Sequence, residues 1–354
     1  MTTLTTDIPP APSPSPPRRP RWLVVSGLVV AAVLLIAAVG AAFAEHQIRG
    51  GGAGGPEVEL SIPSGSSSHQ IADLLGQHGV ISDPLLFLIY MRVHGGGPFE
   101  AGVYLLHRHS SYGSVIRTLA GGPPTTRLVI PEGFTLGQIA ARVGALPGHS
   151  AAHFLAVAGS GEVRSRFQPA GSSNLEGLLF PATYPVTMGE SDAQILSTMV
   201  QRFDQAADQV GLGSASATVG VDPYQAVIVA SMIEREAKLA EDRGLVAQVV
   251  YNRLRKGMKL QVDATVLYAL GPGRTSLTSA DLKVVSPYNT YLVTGLPPTP
   301  IACPGVAALQ AGLHPPPGNF LYYVVVQANG KEAFSATLAG QEQNIALARS
   351  RGLR

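Results

Sequence analysis

Residues 229–271 read VASMIEREAKLAEDRGLVAQVVYNRLRKGMKLQVDATVLYALG, and this stretch determines both the fold and the chemistry of the chain. An apolar helical segment, Ala226–Ala230, leads into it and is followed by a carboxylate, Glu234. Val227 and Ala230 share a helix face with Glu234, so its carboxyl group should project from the buried side. An ionised carboxylate is costly to bury, so its pKa should rise. A Glu that holds its proton near neutral pH is a general acid.

The competing interpretation of Glu234 is structural, namely a salt bridge to a cation such as Arg243 or Arg253. Glu236 lies two residues further along, which is roughly 200° around the helix axis. It therefore cannot share the face of Glu234, and the two do not form a two-carboxylate site.

The pattern of helices and short strands around this stretch predicts an α+β fold, mainly helical in its carboxyl-terminal part. Asp222 is a credible N-cap, with Pro223 at the first helical position and Gln225 completing a capping box. This cap starts the helix that carries Glu234, and a second helix is predicted over 244–256. Further helices are predicted at Asp83–Val93, Ser114–Leu119 and Asp192–Ala206, and strands at Val58–Ile62, Gly102–Leu106, Arg127–Ile130 and Phe320–Gln327.

An internal repeat precedes this region. The motif Ile62-Pro63-Ser64-Gly65 recurs 68 residues later as Ile130-Pro131-Glu132-Gly133, and Gln-Ile-Ala follows both copies at the same distance. Each copy predicts a short strand, a turn and an amphipathic helix, capped by Ser67 or Thr135. The small α+β unit over 58–165 is then either a spacer or a carbohydrate-binding module.

The first part of the chain indicates a membrane anchor. A tail rich in Pro, Ser and Thr, residues 1–21, ends in an Arg cluster and is followed by an unbroken apolar run over 22–44. At roughly 1.5 Å per residue, this run matches the roughly 30 Å hydrocarbon core of a bilayer. Positive charge on one side places the tail in the cytoplasm and the rest outside. The alternative is a signal peptide cleaved near Ala42-Phe43-Ala44. Residues 45–57 form a linker rich in Gly.

Composition excludes several classes of protein. The net charge of +2 does not indicate nucleic-acid binding, and the single cysteine excludes Cys-based zinc sites. The helix-spaced pair His149 and His153 has no third ligand nearby in the sequence and is expected to face solvent, so no metal site is predicted. No motif for a nucleotide or dinucleotide is present, and no cofactor is expected.

Three ordered blocks of sequence resemble the endolytic murein transglycosylases, the YceG-like family of bacterial cell-wall enzymes. The blocks are Leu175–Tyr184 (LEGLLFPATY), Ala230–Val266 with its ASMIERE, YNRL, GM and LQVDATV segments, and Ser286–Ala302 with SPYNTY, GLPP and IA. The resemblance covers roughly residues 58–345. It implies a single amino-terminal anchor, a LysM-like glycan-binding unit over 58–165 and a catalytic domain over 166–354, with Glu234 as the catalytic acid. It also implies that the partners are peptidoglycan strands, the cytoplasmic membrane and the peptidoglycan synthases.

The chain departs from the family pattern at several positions. Ala182 replaces Asp, Ala264 replaces Pro, and Cys303 replaces Asn. Near the carboxyl end, residues 330–335 lack the expected His, and Gly340-Gln341 stands where Glu-His is usual. The Glu234, Gln261 and Asp263 core of the central block is intact, so the expected effect of these departures is on the distal wall of the cleft.

Five residues are candidates for holding the glycan and stabilising positive charge at the anomeric carbon: Glu176, Gln261, Asp263, Tyr288 and Asn289. The reaction expected from the resemblance is attack by the 6-hydroxyl of muramic acid on its own anomeric carbon, which needs one acid rather than two carboxylates. Two alternatives stay open: a muramidase that uses water, and a membrane-anchored peptidoglycan-binding scaffold without activity.

Overall fold

The computed structural model describes residues 21–49 and 55–353, which fall into two compact units divided between Pro123 and Pro124. Helices combine with short two-stranded sheets, the α+β class that the sequence predicts. The sequence placed the boundary at 165–166, after both repeat copies. In the structure the second copy packs within the larger unit, because its strand pairs with a later strand of that unit. Most of the predicted tail, residues 1–20, and the linker residues 50–54 lie outside the described residues.

The smaller unit contains one antiparallel strand pair in its described part. Its elements are α1 (Arg21–Arg49), β1 (Glu57–Ile62), α2 (Ser68–Gln77), α3 (Pro84–His94), β2 (Gly102–His107) and α4 (Tyr112–Ala120). Strand β1 pairs with β2 so that Glu57 lies opposite His107 and Ile62 opposite Gly102. The core draws on both strands and on helices α2 to α4, and includes Leu60, Ile71, Leu75, Phe87, Tyr104 and Tyr112.

The larger unit is mainly helical. Its elements are β3 (Thr125–Val129), α5 (Leu136–Val143), α6 (Ala151–Ser160), β4 (Thr183–Thr187), α7 (Asp192–Gln209), α8 (Ala215–Thr218), α9 (Pro223–Glu236), α10 (Ala240–Arg255), α11 (Asp263–Leu270), α12 (Val306–Leu313), β5 (Tyr322–Val325), β6 (Glu332–Ser335) and α13 (Leu338–Ser350). Strands β3 and β4 form one antiparallel pair, and β5 and β6 form another.

The helix starts predicted from the repeat are confirmed. Ser67 caps α2 and Thr135 caps α5, and in each case a Gln three residues later completes a capping box. The side chain of Thr135 accepts a hydrogen bond from the backbone N–H of Gln138 at 3.2 Å, and the Gln138 side chain accepts one from the backbone N–H of Thr135 at 2.9 Å. These bonds satisfy N–H groups that have no partner within the helix.

Helix α9 is the central helix of the larger unit. Asp222 accepts a hydrogen bond from the backbone N–H of Gln225 at 2.9 Å, which forms the predicted cap. Every residue from Ala226 to Ile233 is buried, on all sides of the helix rather than along one stripe. A helix that is apolar all round belongs inside a core, and α10, α11 and α12 pack against it. Glu234 follows this buried stretch, at the point where the helix leaves the core.

Across residues 21–49 and 55–353, no helix combines the length and the apolar character needed to cross a membrane. The membrane helix over 22–44 and the LysM-like nature of the smaller unit stay predictions.

Candidate active site

Glu234 lies in the last turn of α9, half-buried, with its carboxylate directed at the start of another helix. Its Oε2 accepts a hydrogen bond from the backbone N–H of Gly305 at 3.1 Å, and Gly305 is the N-cap of α12. Arg253, one of the cations considered as an ion-pair partner, instead donates to the backbone carbonyls of Leu321 and Leu260. The carboxyl group of Glu234 is therefore held by backbone and is not tied to that cation.

The surroundings of Glu234 favour its protonated form. Burial raises the pKa of Glu234 above its ordinary value, and the Gly305 N–H partly opposes that rise. The nearby charge of Glu132 raises the pKa further, whereas Arg243 and Arg235 lower it. Loss of hydration and a neighbouring like charge both disfavour the ionised carboxylate. The net effect is an acid better able to hold a proton than a free glutamate.

Glu132, in the turn of the second repeat copy, is a site residue that the sequence reading did not select. Its carboxyl group lies so close to Gly305 that a Cβ on that glycine would overlap it. The turn is held in place by the backbone: the N–H of Gly133 donates to Cys303 O at 2.9 Å, and the N–H of Cys303 donates to Phe134 O at 2.8 Å. One signal could have identified it, because the first repeat copy has Ser64 at the matching position and only the second has a carboxylate.

Glu176 joins two helices from a nearly fully buried position, with 4% of its surface exposed. One carboxylate oxygen accepts a hydrogen bond from the backbone N–H of Leu136, the first residue of α5, at 3.0 Å. The other accepts one from the Tyr268 hydroxyl on α11, also at 3.0 Å. Burial raises the pKa of Glu176 to about 7, against the effect of these donors. The structure gives this candidate a position between α5 and α11.

Gln261 and Asp263 lie exposed at the start of α11. Gln261 has a positive φ of 51°, and its side-chain oxygen accepts a hydrogen bond from Arg253 at 3.1 Å. Asp263 accepts a hydrogen bond from the Tyr291 hydroxyl at 2.5 Å. These two polar side chains are accessible to a ligand, as their predicted role requires.

Tyr288 and Asn289 are neighbours in sequence with different surroundings. The ring of Tyr288 lies 4.8 Å from that of Tyr268, and its hydroxyl is 2.8 Å from the Thr299 hydroxyl. Asn289 is fully buried and donates to the backbone carbonyls of Leu282 and Val284 at 3.0 and 2.8 Å. Asn289 therefore organises the loop around it, while its predicted contact with glycan stays a prediction.

Glu236 has its own set of partners, away from those of Glu234. Its carboxylate accepts hydrogen bonds from the backbone N–H of Ala264 at 3.0 Å and from the Tyr323 hydroxyl at 3.1 Å. Burial raises the pKa of Glu236. It fastens the end of α9 to the start of α11, and it does not face the same partners as Glu234.

The expectation that His149 and His153 face solvent holds for His153 and is wrong for His149, and the rings of both have a hydrogen-bond partner. Nδ1 of His149 lies 2.5 Å from one oxygen of Asp192, and Nδ1 of His153 lies 2.6 Å from the other. The side chain of His149 is 7% exposed, although that of His153 is 69% exposed. The sequence did not indicate Asp192 as the partner of these histidines, because Asp192 belongs to a later helix, α7. The contacts are hydrogen bonds, and no cluster suited to a metal occurs among the described residues.

The carboxyl-terminal departures from the family pattern lie on β6 and α13. Glu332 is 5% exposed, and burial raises its pKa to about 8, helped by the charges of Glu236 and Asp242. Its Oε2 has no hydrogen-bond partner within the part of the chain that the structure describes. Gln341 donates to the backbone carbonyl of Tyr323 at 2.9 Å.

Comparison with known proteins places this geometry in a family. The sequence model of the YceG-like family matches residues 60–347. An endolytic murein transglycosylase of Bacillus subtilis is 33% identical over 297 residues, which is 79% of this chain and 82% of the relative. One from Streptococcus pneumoniae is 28% identical over 82% of this chain and 58% of the relative.

A solved structure agrees with these relatives. The crystal structure of a YceG-like protein from Listeria monocytogenes superposes with a TM-score of 0.55 at 32% identity, covering 81% of this chain and 98% of that one. A family match over most of the chain, together with a relative above 30% identity, is decisive: the chain belongs to the YceG-like family.

Proposed function

We infer that this chain is a lytic transglycosylase that cleaves the MurNAc–GlcNAc bond within peptidoglycan strands and leaves 1,6-anhydro-MurNAc ends. The observation that carries this inference is the placement of Glu234, half-buried and oriented by the Gly305 N–H, with its pKa raised by burial. Its relatives in Bacillus subtilis and Streptococcus pneumoniae are endolytic murein transglycosylases by name.

The reaction needs one carboxyl group in two successive roles. Protonated Glu234 gives its proton to the bridging oxygen as the bond from that oxygen to the anomeric carbon breaks, and the leaving sugar departs as an alcohol. The carboxylate so formed takes the proton from the 6-hydroxyl of the same muramic acid while that oxygen bonds to the anomeric carbon. Because the attacking group belongs to the substrate, its effective molarity reaches roughly 10⁵–10⁸ M.

The other candidate residues divide into ligand contacts and positioning groups. Gln261 and Asp263 are exposed at the start of α11, so we propose that they hydrogen-bond sugar hydroxyls. Tyr288 offers a ring face next to Tyr268. Glu176 acts through Tyr268, which it holds by a hydrogen bond. The buried Asn289 acts through the loop that it orders.

The test is mass spectrometry of fragments released from purified peptidoglycan by the part of the chain from Glu45 onward. We expect 1,6-anhydro-MurNAc ends with the wild type. Glu234→Gln, which cannot give or take the proton, should show a loss of at least about 100-fold with unchanged thermal unfolding. Glu342→Gln, an exposed carboxylate on α13, is the matched control and should stay active. Near-normal cleavage by Glu234→Gln would refute the inference, and binding without cleavage by the wild type would favour a scaffold.

A muramidase that uses water is the second candidate, because one observation favours it. Glu132 places a second carboxylate close to Glu234, and a hydrolase needs such a group to activate water. The same fragments distinguish the two reactions, since hydrolysis leaves reducing ends.

We propose that the chain is anchored in the bacterial cytoplasmic membrane by residues 22–44, with the tail in the cytoplasm and the larger unit outside. The supporting observations are the unbroken apolar run, the Arg cluster before it, and exposed apolar side chains on α1 such as Leu35 and Ile36. In that location the chain can meet nascent strands and the peptidoglycan synthases. Cell fractionation tests it: the full chain should sediment with membranes, and a chain lacking residues 22–44 should not.

We further propose that the smaller unit binds glycan in the manner of a LysM domain. Its support is the strand, turn and capped helix of the first repeat copy, together with the family resemblance. The alternative role is that of a spacer, which would show no affinity for purified glycan strands.

A further inference from the structure

A cavity of about 380 Å³ lies in the larger unit, and apart from the placement of Tyr268 the mechanism described above gives it no role. Helix α5 contributes Gln138 to its lining, α11 contributes Leu267 and Tyr268, and the loop after α11 contributes Arg274. Arg235, the residue directly after Glu234, completes it. The volume is within the range of roughly 300–1,000 Å³ that is usual for ligand pockets.

The charge of this cavity has one sign. Among the described residues, the charged side chains that line it are Arg235 and Arg274, and no carboxylate lines it. Arg235 donates to the backbone carbonyl of Gly133 at 3.3 Å, and its charge also acts on the carboxyl groups of Glu234 and Glu236, which lie outside the lining. Arg274 forms an ion pair with Asp281 through Nη1 at 3.2 Å. A guanidinium has five N–H donors in a planar fork, so both arginines retain donors suited to a carboxylate.

Apart from Thr135, the remaining lining consists of glycines and apolar side chains. The apolar side chains are those of Ala141, Ala264, Leu267, Pro272 and Ile301. Such a surface accepts methyl groups but offers few partners to the ring hydroxyls of a sugar. A ligand that fits both features is a short peptide with small apolar side chains and a free carboxylate.

We propose that this cavity binds the acidic stem peptide carried by the muramic acid at the cleavage site. The proposal rests on the proposed function, because the sugar that Glu234 acts on is the one that bears this peptide. The peptide begins with a lactyl ether and an alanine, whose methyl groups match the apolar lining. It continues with a glutamate whose carboxylate matches Arg235 and Arg274. The enzyme should therefore select strands that carry peptides with free carboxylates.

The test measures binding to the full chain carrying Glu234→Gln, purified in detergent, so that no cleavage occurs. Three labelled probes are compared by fluorescence anisotropy: disaccharide with an unmodified stem peptide, the same compound with its peptide carboxylates amidated, and the disaccharide without peptide. We expect the unmodified peptide to bind at least about tenfold more tightly than either of the others, which is the contribution of a charge-assisted hydrogen bond.

Variants of Arg274, which lines the cavity, test whether the preference for the unmodified peptide arises there. Arg274→Gln should lower the affinity for the unmodified peptide toward that of the amidated one, with Arg235 keeping the remaining preference, and should leave the amidated one unchanged. Arg274→Lys, which keeps the charge but not the fork, should lie between. Lys283→Gln removes an exposed cation outside the cavity and should have no effect. Asp281→Asn breaks the ion pair while keeping Arg274 and should retain the preference.

Equal affinity for all three probes would overturn the proposal. So would an equal loss for both peptides in Arg274→Gln, or a loss in Asp281→Asn as large as in Arg274→Gln, since either result would assign Arg274 to loop structure. Because binding is measured without turnover, a wild type that cleaves nothing would refute the proposed function without deciding the peptide preference.

Discussion

At the scale of single residues, Gly305 lies close to two carboxyl groups, those of Glu234 and Glu132. Its N–H donates to Glu234, and its lack of a side chain leaves room for Glu132. Its φ of −80° is open to any residue, so the requirement for glycine is steric and is set by the carboxyl group of Glu132. The acid strength of Glu234 is thus linked to the position of a second carboxylate.

This link predicts a change in the pH dependence of cleavage. In the reaction that we propose, Glu234 gives its proton only while protonated, so kcat/KM should fall as pH rises through its pKa. The charge of Glu132 raises that pKa. Glu132→Gln removes this charge, so the alkaline limb of the pH–rate profile should move to lower pH while the rate at acidic pH stays near that of the wild type. Gly305→Ala, which displaces Glu132, should move the limb the same way.

The measurement is kcat/KM on soluble glycan strands from acidic to alkaline pH. An unmoved alkaline limb in both variants would contradict the electrostatic role. A large loss for Glu132→Gln at every pH would mean that Glu132 takes part in the chemistry, as expected for a muramidase.

Because the carboxyl group of Glu332 is buried, we expect it to make the stability of the fold, and not the activity, depend on pH. Burial raises its folded-state pKa to about 8, from an unfolded value of about 4.5. The folded state therefore holds a proton that the unfolded state releases, and the free energy of unfolding falls as pH rises between those values. Glu332→Gln carries no such proton, so its stability should fall less from about pH 5 to about pH 8. Urea unfolding at both pH values checks this, with Glu342→Gln as the control. An equal fall in the free energy of unfolding between the two pH values for the variant and the wild type would contradict this prediction.

At the scale of elements, one carboxylate joins α6 to α7. Asp192, in the first turn of α7, is hydrogen-bonded to His149 just before α6 and to His153 on α6. Asp192→Asn should reduce the free energy of unfolding by about 1–3 kcal/mol, since it leaves the buried His149 without its charged partner. His153→Ala, at an exposed position, should cost less. Urea unfolding of both variants measures this, and equal small losses would mean that the link contributes little.

The elements also explain what could be predicted from sequence. The caps at Asp222, Ser67 and Thr135 were predictable because each bonds to a residue three positions away. The contact of Glu132 with Gly305 and that of Glu176 with Tyr268 join distant segments, and tertiary packing decides them.

The boundary between the two units is likewise decided by tertiary packing and not by local sequence. The two repeat copies look alike because their local patterns agree. Whether they share a unit depends on strand pairing, and β3 pairs with β4 whereas β1 pairs with β2. Local sequence does not encode that choice, so the predicted boundary at 165–166 and the observed division at Pro123 differ.

At the scale of the whole molecule, two units each carry a hydrophobic core of their own. Glu234, Glu132, Gly305 and the cavity all belong to the larger unit. A unit with its own core can in principle fold alone. Catalysis and glycan retention should therefore be separable by cutting the chain between the units.

A fragment over 121–354, which keeps β3 complete, should unfold cooperatively and cleave short soluble strands with kcat/KM within about threefold of the longer chain that starts at Glu45. Its retention on insoluble peptidoglycan should drop if the smaller unit binds glycan, because loss of a second binding module lowers effective concentration. Co-sedimentation and strand cleavage measure the two properties separately. Unchanged retention would make the smaller unit a spacer. A fragment that folds but fails on soluble strands would mean that the smaller unit contributes to the reaction itself, which the residues assembled around Glu234 do not require.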